Sequence, residues 1–388
     1  MRRVKATGRV DWRPGLRKYP YGAAAAAAGA LWREDARYEF SAQQIDLIES
    51  VADELHGMVR EGLRAAVEDK LLSDLGLRGE AARLVESSWS DHWRPGGING
   101  RAGHLAGRLT LAYDGRDSLK LLACNYDMAP GLFAAALVQR NWQESQAADA
   151  LQFNGLHEAL IERWEELAHG VPGRERLHLA CATPDPMREG ELIYLAATAA
   201  EAGVETVLLP LQDIGWAEGR FRDQGGEAIS WLAKLYPWEA LGSDGFVQHL
   251  RSAGMGVVEP AWCWAASNHG LLAVLWHLYP GHPNLCRAAF DESALGPVEA
   301  VTVRSLFGLD HAATRLGAHG RLVAEGGAVA EPGGWLWLET PPAFEQDGVH
   351  AVLDAWIVGD KCLGMTVREA ASPLVGPDAS VVPHLFRG

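Results

Sequence analysis

The chain has 388 residues, of which 48% are apolar and 22% charged, so it can bury two or three packed subdomains and is not globally disordered. Its net charge of −15, from 50 acidic and 35 basic residues, argues against a nucleic-acid binder and against binding to anionic membranes. The same charge is compatible with a cationic ligand such as a polyamine.

The first 40 residues are irregular and contain a run of six alanines, Ala23 to Ala28, between Gly22 and Gly29. So short a run between glycines makes a marginal helix, because few hydrogen bonds offset the cost of the first turn. The pattern predicts either a mobile flap or a loosely packed segment.

The clearest helix runs from Ser41 to about Lys70. Ser41 and Gln44 fit a capping box, and apolar side chains recur at helical spacing on one face. The pattern predicts a helix packed on a core, and nothing on that face suggests chemistry. The apolar positions are Ile45, Ile48, Val51, Ala52, Leu55, Met58, Val59 and Leu63.

A β-hairpin is predicted next. Leu109 to Tyr113 have the pattern of a strand, Asp114 to Ser118 have turn composition, and Leu119 to Cys124 form the returning strand. Helices are then predicted from Pro130 to about Trp142 and from Phe153 to about Ala168.

The segment 176–215 alternates strand, helix and strand. Leu177 to Ala180 and Val204 to Leu211 are apolar runs, and Glu189 to Ala202 between them is helical, with Gly203 as its C-cap. Because parallel strands need such a crossover, this βαβ order predicts a parallel sheet.

The C-terminal third mixes helix with hairpins. A helix is predicted from Leu271 to Leu278, and a hairpin runs from Ala351 to Val358 and returns from Cys362 to Arg368. Glycine-rich turns lie at 317–320 and 326–334, and neither matches a P-loop or a dinucleotide motif. The absence of a long-period repeat excludes a solenoid.

The cysteines and the N-terminus bear on the compartment. Five cysteines stand at wide spacings without a CxxC pair, which favours buried, reduced thiols over disulfides or a structural zinc site. No apolar signal core follows Met1 to Lys5, and no apolar run reaches the length of a membrane span. The sequence therefore predicts a cytoplasmic protein.

Several blocks, taken together and in chain order, carry a family resemblance. The blocks are 108–115 (RLTLAYDG), 120–125 (KLLACN), 152–154 (QFN), 234–239 (KLYPWE), 259–262 (EPAW), 267–268 (SN), 280–285 (PGHPNL), 356–360 (WIVGD) and 382–384 (VPH). As an ordered set they resemble the glutathionylspermidine synthase family. The resemblance implies a mixed α/β protein with an ATP-grasp ligase fold and a pre-ATP-grasp-like βαβ subdomain.

On this resemblance the chain divides into four parts. Residues 1–100 form an N-terminal helical segment and flap, and residues 101–170 form a part of the ATP-grasp core with a hairpin and helices. Residues 171–255 form the pre-ATP-grasp-like α/β subdomain, and residues 256–388 the C-terminal ATP-grasp part. No linker stands out, so these parts are expected to pack closely.

The resemblance also implies a reaction class. ATP phosphorylates a carboxylate, and an amine then attacks the acyl phosphate to give an amide, which in the family joins glutathione to spermidine. ATP and magnesium are the implied cofactors, since magnesium neutralises and positions the phosphates. The implied small-molecule partner is a polyamine or a peptide-like compound.

The metal-binding positions of the family are mostly replaced. An Asp and a Glu that bind metal in the family correspond here to Thr110 and Ala123, and only Asn125 remains of the set. Threonine and alanine carry no negative charge, and one neutral amide is a poor anchor for a divalent ion. Each lost charge-assisted contact costs ~1.5–3 kcal/mol, so turnover by the family mechanism is expected to fall by orders of magnitude.

The phosphate-binding lysines of the family are replaced by His269 and Arg304. Arg304 keeps a charge that binds phosphate bidentately, and His269 can carry a proton beside phosphate, so both are candidate nucleotide-binding residues. Arg108 and Arg368 match arginines of the family and are the candidate catalytic residues. Residues 317–334 correspond to the loop that covers ATP in the family. The alternative interpretation of their glycine-rich pattern is a pair of exposed hairpins.

Other polar clusters are weaker signals. Asp114, Asp117 and Asp127 could donate a displaced carboxylate, although the first two lie in the predicted turn and are expected to be solvated. Four histidines lack the spacing of a helical metal-ligand pair and are expected in the core or at the surface. They are His269, His277, His282 and His311. Tryptophans are expected as core anchors at Trp231, Trp238, Trp262, Trp264 and Trp276.

Two hypotheses follow. In the one that the replacements favour, the chain is a catalytically degenerate ligase relative, a pseudoenzyme, that binds a ligand in its cleft or assembles with a paralogous ligase or with copies of itself. In the alternative it is an active ATP-dependent carboxylate–amine ligase with relocated metal ligands and another substrate. The residues that discriminate are Thr110, Ala123 and His269.

Overall fold

The computed structural model describes residues 1–93, 103–169, 176–308, 314–318, 321–326 and 334–387. His311 and most of the turn at 326–334 lie outside these residues. The helices are α1 (Gly22–Ala25), α2 (Ala42–Glu68), α3 (Glu80–Trp93), α4 (Gln139–Gln146), α5 (Leu156–Ala168), α6 (Pro186–Glu201), α7 (Trp238–Gly242), α8 (Val247–Leu250), α9 (Trp262–Ala266), α10 (Leu271–Leu278) and α11 (Glu292–Leu295).

The strands are β1 (Arg2–Lys5), β2 (Ala36–Ser41), β3 (Ala106–Tyr113), β4 (Leu119–Asn125), β5 (Arg176–Cys181), β6 (Glu205–Pro210), β7 (Gly215–Ala217), β8 (Arg220–Arg222), β9 (Trp231–Leu235), β10 (Gly256–Val258), β11 (Ala288–Ala289), β12 (Ala300–Ser305), β13 (Thr314–Ala318), β14 (Arg321–Gly326), β15 (Trp335–Glu339), β16 (Phe344–Gln346), β17 (Val349–Val358), β18 (Lys361–Ala370), β19 (Ser380–Val382) and β20 (His384–Arg387).

The largest sheet is antiparallel and contains both predicted hairpins. Its order is β19-β18-β17-β3-β4, and β16 also pairs with β17. The β3–β4 hairpin and the β17–β18 hairpin are distant in sequence but join edge to edge, because β17 pairs with β3. All residues of β3 are buried, so both faces of this central sheet are covered.

Helix α2 confirms the helix predicted from Ser41. The Ser41 hydroxyl accepts a hydrogen bond from the Gln44 backbone N–H, and the Gln44 side chain accepts one from the Ser41 N–H, both at 3.2 Å. The predicted apolar face is buried and packs against β17, β18 and α10. The capping box thus fixes where the helix begins, and the apolar face fixes which side meets the sheet.

The βαβ prediction is also confirmed. A parallel sheet has the order β10-β9-β5-β6, with α6 as the crossover from β5 to β6. The Asp185 side chain caps α6 by accepting from the Arg188 N–H, and Gly203 follows the helix with a φ of 80°. This left-handed conformation is the one that a glycine C-cap permits.

The described residues form three further sheets, of which the smallest is the antiparallel β7–β8 pair. Another has the order β11-β15-β12-β13-β14, and the third, β1-β2-β20, pairs the first strand region with β20. All five cysteines are buried free thiols, as predicted. Within the described ranges, every helix is too short or too polar to cross a bilayer.

The helix predicted over 130–142 differs in its first turns. Residues Ala134–Val138 form a π-helical turn, in which the Gln139 N–H donates to the Ala134 carbonyl, before α4 continues to Gln146. The Ala135 carbonyl would accept that N–H in an α-helix, but here it accepts the Gln139 side-chain amide at 3.0 Å. A polar side chain that competes for a backbone carbonyl explains the change of helix type.

The alanine run is packed rather than loose. Residues 22–29 form α1 and a 3₁₀ turn that contact α6, and Ala25 and Ala28 are buried. A Cβ added at Gly190 in α6 would stand 2.8 Å from the Ala25 carbonyl oxygen and 2.9 Å from the Ala28 nitrogen. The expectation of loose packing is wrong, because small side chains allow a close helical contact that the weak helix propensity does not reveal.

We predict that Gly190→Ala lowers the free energy of unfolding by about 1–2 kcal/mol, because the new methyl group overlaps backbone atoms of the alanine run. In the matched change Gly57→Ala, inside α2, an added Cβ meets nothing within 4 Å. The better helix propensity of alanine should then raise stability by about 0.5–1 kcal/mol. Urea denaturation measures both, and equal effects would contradict the packing of residues 22–29 on α6.

Candidate functional site

The strand register of the central sheet brings most of the candidate residues onto one face. Thr110 on β3 lies directly opposite Ala123 on β4 and opposite Asp354 on β17. Arg108 stands two residues before Thr110 and lies opposite Asn125. Because side chains alternate between the faces of a strand, all five project to the same side.

A buried carboxylate, Asp354, occupies the middle of this face. Its Oδ1 accepts a hydrogen bond from Thr110 Oγ1 at 2.8 Å. Arg368 Nε donates to Oδ2 at 2.5 Å and Nη2 donates to Oδ1 at 3.0 Å, which makes a bidentate ion pair. The side chains of Asp354 and Arg368 are 1% and 4% exposed, so the pair is removed from water.

Arg108 shares the same carboxylate. Its Nε lies 3.8 Å from Asp354 Oδ1, and its Nη1 donates to the Pro130 carbonyl at 3.1 Å. Its guanidinium stands 5.8 Å from the ring centroid of Trp356. The two candidate catalytic arginines, Arg108 and Arg368, therefore converge on one acidic group and on backbone carbonyls.

Asp127 forms a second buried ion pair, with Lys234, and Asn125 contacts the backbone of Asp127. The Asn125 side-chain oxygen accepts the Asp127 N–H at 3.0 Å. The Asp127 carboxylate accepts from Lys234 Nζ at 2.6 Å and from the Trp238 N–H at 2.7 Å. Lys234 has no exposed side-chain surface, and its ammonium also lies 4.4 Å from the Trp238 ring centroid. This pair joins the end of β4 to β9 of the parallel sheet.

The two candidate phosphate-binding residues contact backbone carbonyl groups. His269 Nδ1 lies 2.7 Å from the Ser305 carbonyl oxygen, and Arg304 Nη1 donates to the Leu122 carbonyl at 2.8 Å. Both side chains are buried. A role in nucleotide binding remains a prediction for both residues.

The other sequence candidates lie elsewhere. Asp114 Oδ1 accepts the N–H groups of residues 116, 117 and 118, so Asp114 serves the turn, and Asp117 is exposed as predicted. Four of the five tryptophans expected in the core are buried, and Trp276 is half-buried. Among the described residues, no group of three or more His, Cys, Asp or Glu side chains could hold a metal ion.

The oxygen atoms around Asn125 do not suit the magnesium site that the family resemblance implies. Mg²⁺ takes one or two carboxylates together with phosphate oxygens and water. Asp354 is neutralised by Arg368, and Asp127 by Lys234. Diverting either carboxylate to a metal would leave a buried cation without its partner, which is strongly unfavourable.

Asp354 is the site residue that the sequence analysis did not identify. It stands between apolar residues in the strand predicted over 351–358. Burying a charge in such a strand is unfavourable unless the charge has a partner. A lone acidic residue in an apolar strand therefore indicates a buried ion pair, and Asp354 could have been recognised in this way. The same signal was present at Lys234, which lies within the apolar run of β9.

Two further carboxyl groups lie under the site. Glu259 accepts the N–H groups of Leu105 and Ala106 at 2.9–3.1 Å, and burial raises its pKa to about 8. Glu191 accepts the Phe133 N–H at 2.9 Å, and burial raises its pKa to about 7. Glu259 thereby anchors the start of β3 and so helps to place Arg108 on the sheet.

Comparison with known proteins identifies the family. The family model described as glutathionylspermidine synthase preATP-grasp matches residues 3–387. A Haemophilus influenzae protein provisionally named an acid–amine ligase is 31% identical over 377 residues, which cover 92% of this chain and 91% of that protein. The chain belongs to the glutathionylspermidine synthase family. Members of this family are ATP-dependent carboxylate–amine ligases that use magnesium.

Two longer relatives match a part of their length. Trypanothione synthetase of Crithidia fasciculata is 25% identical over 308 residues, covering 71% of this chain and 46% of that enzyme. The bifunctional glutathionylspermidine synthetase/amidase of Escherichia coli is 23% identical over 314 residues, covering 72% and 49%. This family member thus spans about half the length of these two enzymes.

The fold has a solved counterpart. A glutathione synthetase-like effector of Globodera pallida, solved in its apo form, superposes with a TM-score of 0.53 at 10% identity over 98% of both chains. With the family match, this likeness confirms the mixed α/β, ATP-grasp ligase fold and its pre-ATP-grasp-like βαβ part.

The Asp354–Arg368 pair yields a stability prediction. Asp354→Asn or Arg368→Met alone should lower the free energy of unfolding by about 3–5 kcal/mol, because one buried charge loses its partner. The double change should cost less than the sum of the single changes, and a double-mutant cycle by urea denaturation measures the difference. The exposed cross-strand pair Arg176–Glu205 is the control and should show little coupling. Additive effects at the buried pair would contradict this account.

The buried Glu259 predicts a pH dependence. Its pKa is raised from 4.5 to about 8, so its contribution to stability is complete below pH 4.5 and is lost as the pH rises to about 8. In Glu259→Gln the amide oxygen can still accept both N–H groups, and the slope of stability against pH should flatten by up to ~1.4 kcal/mol per pH unit. Urea denaturation between pH 5 and 8.5 tests this, with exposed Glu227→Gln as control. An unchanged slope would show that Glu259 does not hold a proton in the folded protein.

Proposed function

We propose that this family member has lost magnesium-dependent ATP ligation and uses its retained scaffold for binding or assembly. The observation that carries the proposal is the network of Thr110, Asp354 and Arg368 on the central sheet. Thr110 and Ala123 stand opposite each other where the resemblance places the metal-binding Asp and Glu. The face that should present free carboxylates presents an internal ion pair instead.

The charges of this face support the proposal. Family catalysis needs a dication held between protein carboxylates and phosphate oxygens. Here two arginines surround the one carboxylate of the face, so the site already carries its own positive charge. A dication at this point would meet like charges in a buried environment, where they are poorly screened.

The partner classes follow from the family and from the charge. The relatives' names specify trypanothione and glutathionylspermidine synthesis, and the net charge of −15 suits a cationic ligand. We therefore propose a polyamine or peptide-like small molecule, or assembly with a paralogous ligase or with a second copy. A cytoplasmic location is part of the same proposal.

One observation favours the alternative, an active ligase with relocated metal ligands. Asp354 lies directly opposite Thr110, so a carboxylate is present next to a lost ligand position. If Arg368 turned to a bound phosphate, Asp354 would be released for a metal. The substrate of such a ligase would be a carboxylate and an amine of unassigned identity.

Isothermal titration with ATP, with and without magnesium, separates the two functions. We expect no magnesium-dependent ATP binding by the unaltered chain, because the face lacks free carboxylates. Thr110→Asp with Ala123→Glu should restore it and tighten binding about tenfold or more, since each charge-assisted contact contributes ~1.5–3 kcal/mol.

The matched control is Thr110→Asn with Ala123→Gln, which has nearly the same shape and no added charge. It should bind no better than the unaltered chain. A low-micromolar, magnesium-dependent dissociation constant in the unaltered chain would overturn the proposal. In that case Asp354→Asn should abolish the binding if Asp354 is the relocated ligand.

A further inference from the structure

A cleft of about 250 Å³ lies at the carboxyl edge of the parallel sheet. The residues that follow β5, β6 and β9, Ala182, Leu211 and Tyr236, all line it. The strand order changes direction between β5 and β9, because β6 lies on one side of β5 while β9 and β10 lie on the other. Ligands of open α/β sheets bind at this topological switch point, outside the carboxyl ends of the strands.

The walls of the cleft are mainly apolar. They are formed by Leu211, Ile214, Phe221, Leu232, Phe246 and Met255. Phe246 is 41% exposed as a residue, so part of an aromatic residue is left uncovered at the cleft. An engineered apolar cavity of about 150 Å³ holds benzene, so this cleft has room for one ring with a short chain.

A ring stack lies next to Phe221, one of the residues that line the cleft. Trp216 on β7 and His249 on α8 lie parallel, with centroids 4.2 Å apart and an interplanar angle of 11°. Phe221 on β8 packs edge-on against Trp216 at 4.9 Å. The β7–β8 hairpin and α8 are therefore held together beside the cleft wall that Phe221 forms.

The two charged groups of the cleft differ in how they are used. The Lys234 ammonium is committed to Asp127, to the Tyr236 carbonyl and to the Trp238 ring. The Asp244 carboxylate accepts the Phe246 N–H at 2.9 Å, and no basic group of the described residues lies within ion-pair distance of it. The cleft thus offers one negative group that is available to a ligand.

We propose that this cleft binds a small primary amine that carries an aromatic or branched apolar body. The body packs against Phe221, Phe246 and Leu232, and the ammonium meets Asp244. A linear polyamine suits the cleft less well, because its inner ammonium groups would be desolvated against apolar walls. A carboxylate of the same shape suits it less well too, because Asp244 repels it. Binding of such an amine does not require ligase activity of this chain.

Calorimetric titration of the full chain with 2-phenylethylamine, without ATP or magnesium, tests the proposal. Measurable binding is expected. The control ligands 3-phenylpropanoate and spermidine should each bind at least about tenfold more weakly, because Asp244 repels the carboxylate of the first and the apolar walls desolvate the inner ammonium groups of the second. Asp244→Asn should weaken the binding of 2-phenylethylamine about two- to fivefold and leave the binding of 2-phenylethanol unchanged, because only the charge of an exposed carboxylate is removed.

Ala182 is exposed at the mouth of the cleft, so Ala182→Phe should fill that mouth. The change should weaken the binding of 2-phenylethylamine and of 2-phenylethanol about tenfold or more. The matched controls, Ala148→Phe and Asp149→Asn, lie outside the cleft and should leave binding unchanged. Absent binding of 2-phenylethylamine, or equal binding by Ala182→Phe, overturns the proposal. Tighter binding of spermidine than of 2-phenylethylamine would also contradict the proposal, because it would show that the cleft recognises a cation and not an apolar body. The binding of magnesium and ATP is measured in a separate titration, so failure of the amine proposal and failure of the proposed function can be told apart.

Discussion

The ion pair between Arg368 and Asp354 constrains the whole face on which family chemistry would take place. Both groups are buried, so each is tolerable only because the other is present. Thr110 completes the pair with a hydroxyl where a second carboxylate would have repelled Asp354. A metal ion at this face would therefore compete with Arg368 for the oxygens of the same carboxylate.

A second buried pair connects this face to the parallel sheet. Asp127 follows β4, and Lys234 belongs to β9, so their contact fixes how the two sheets meet. The same lysine passes along the cleft at the switch point, and its ammonium is already neutralised there. The polar centre of the molecule is thus internally balanced, while the cleft beside it keeps apolar walls and one acidic group.

Local patterns in the sequence predicted many elements correctly, for identifiable reasons. The capping box at Ser41 and the apolar face behind it depend on residues a few positions apart, and so do the β17–β18 hairpin and the helix from Leu271. The π-helical turn before Gln139 and the packing of the alanine run could not be predicted, because each depends on a partner that is remote in sequence or on a side-chain choice made in three dimensions.

The sequence by itself determined the family, the kinds of elements and the uncharged side chains at positions 110 and 123, since these are properties of residue identity and short-range order. Only the tertiary structure decided which charged groups lie beside them. Asp354 lies far along the chain from Thr110, and only the pairing of β17 with β3 places them side by side. Electrostatic energy depends on distance and burial, so which charges meet and neutralise each other is settled when the strands come together.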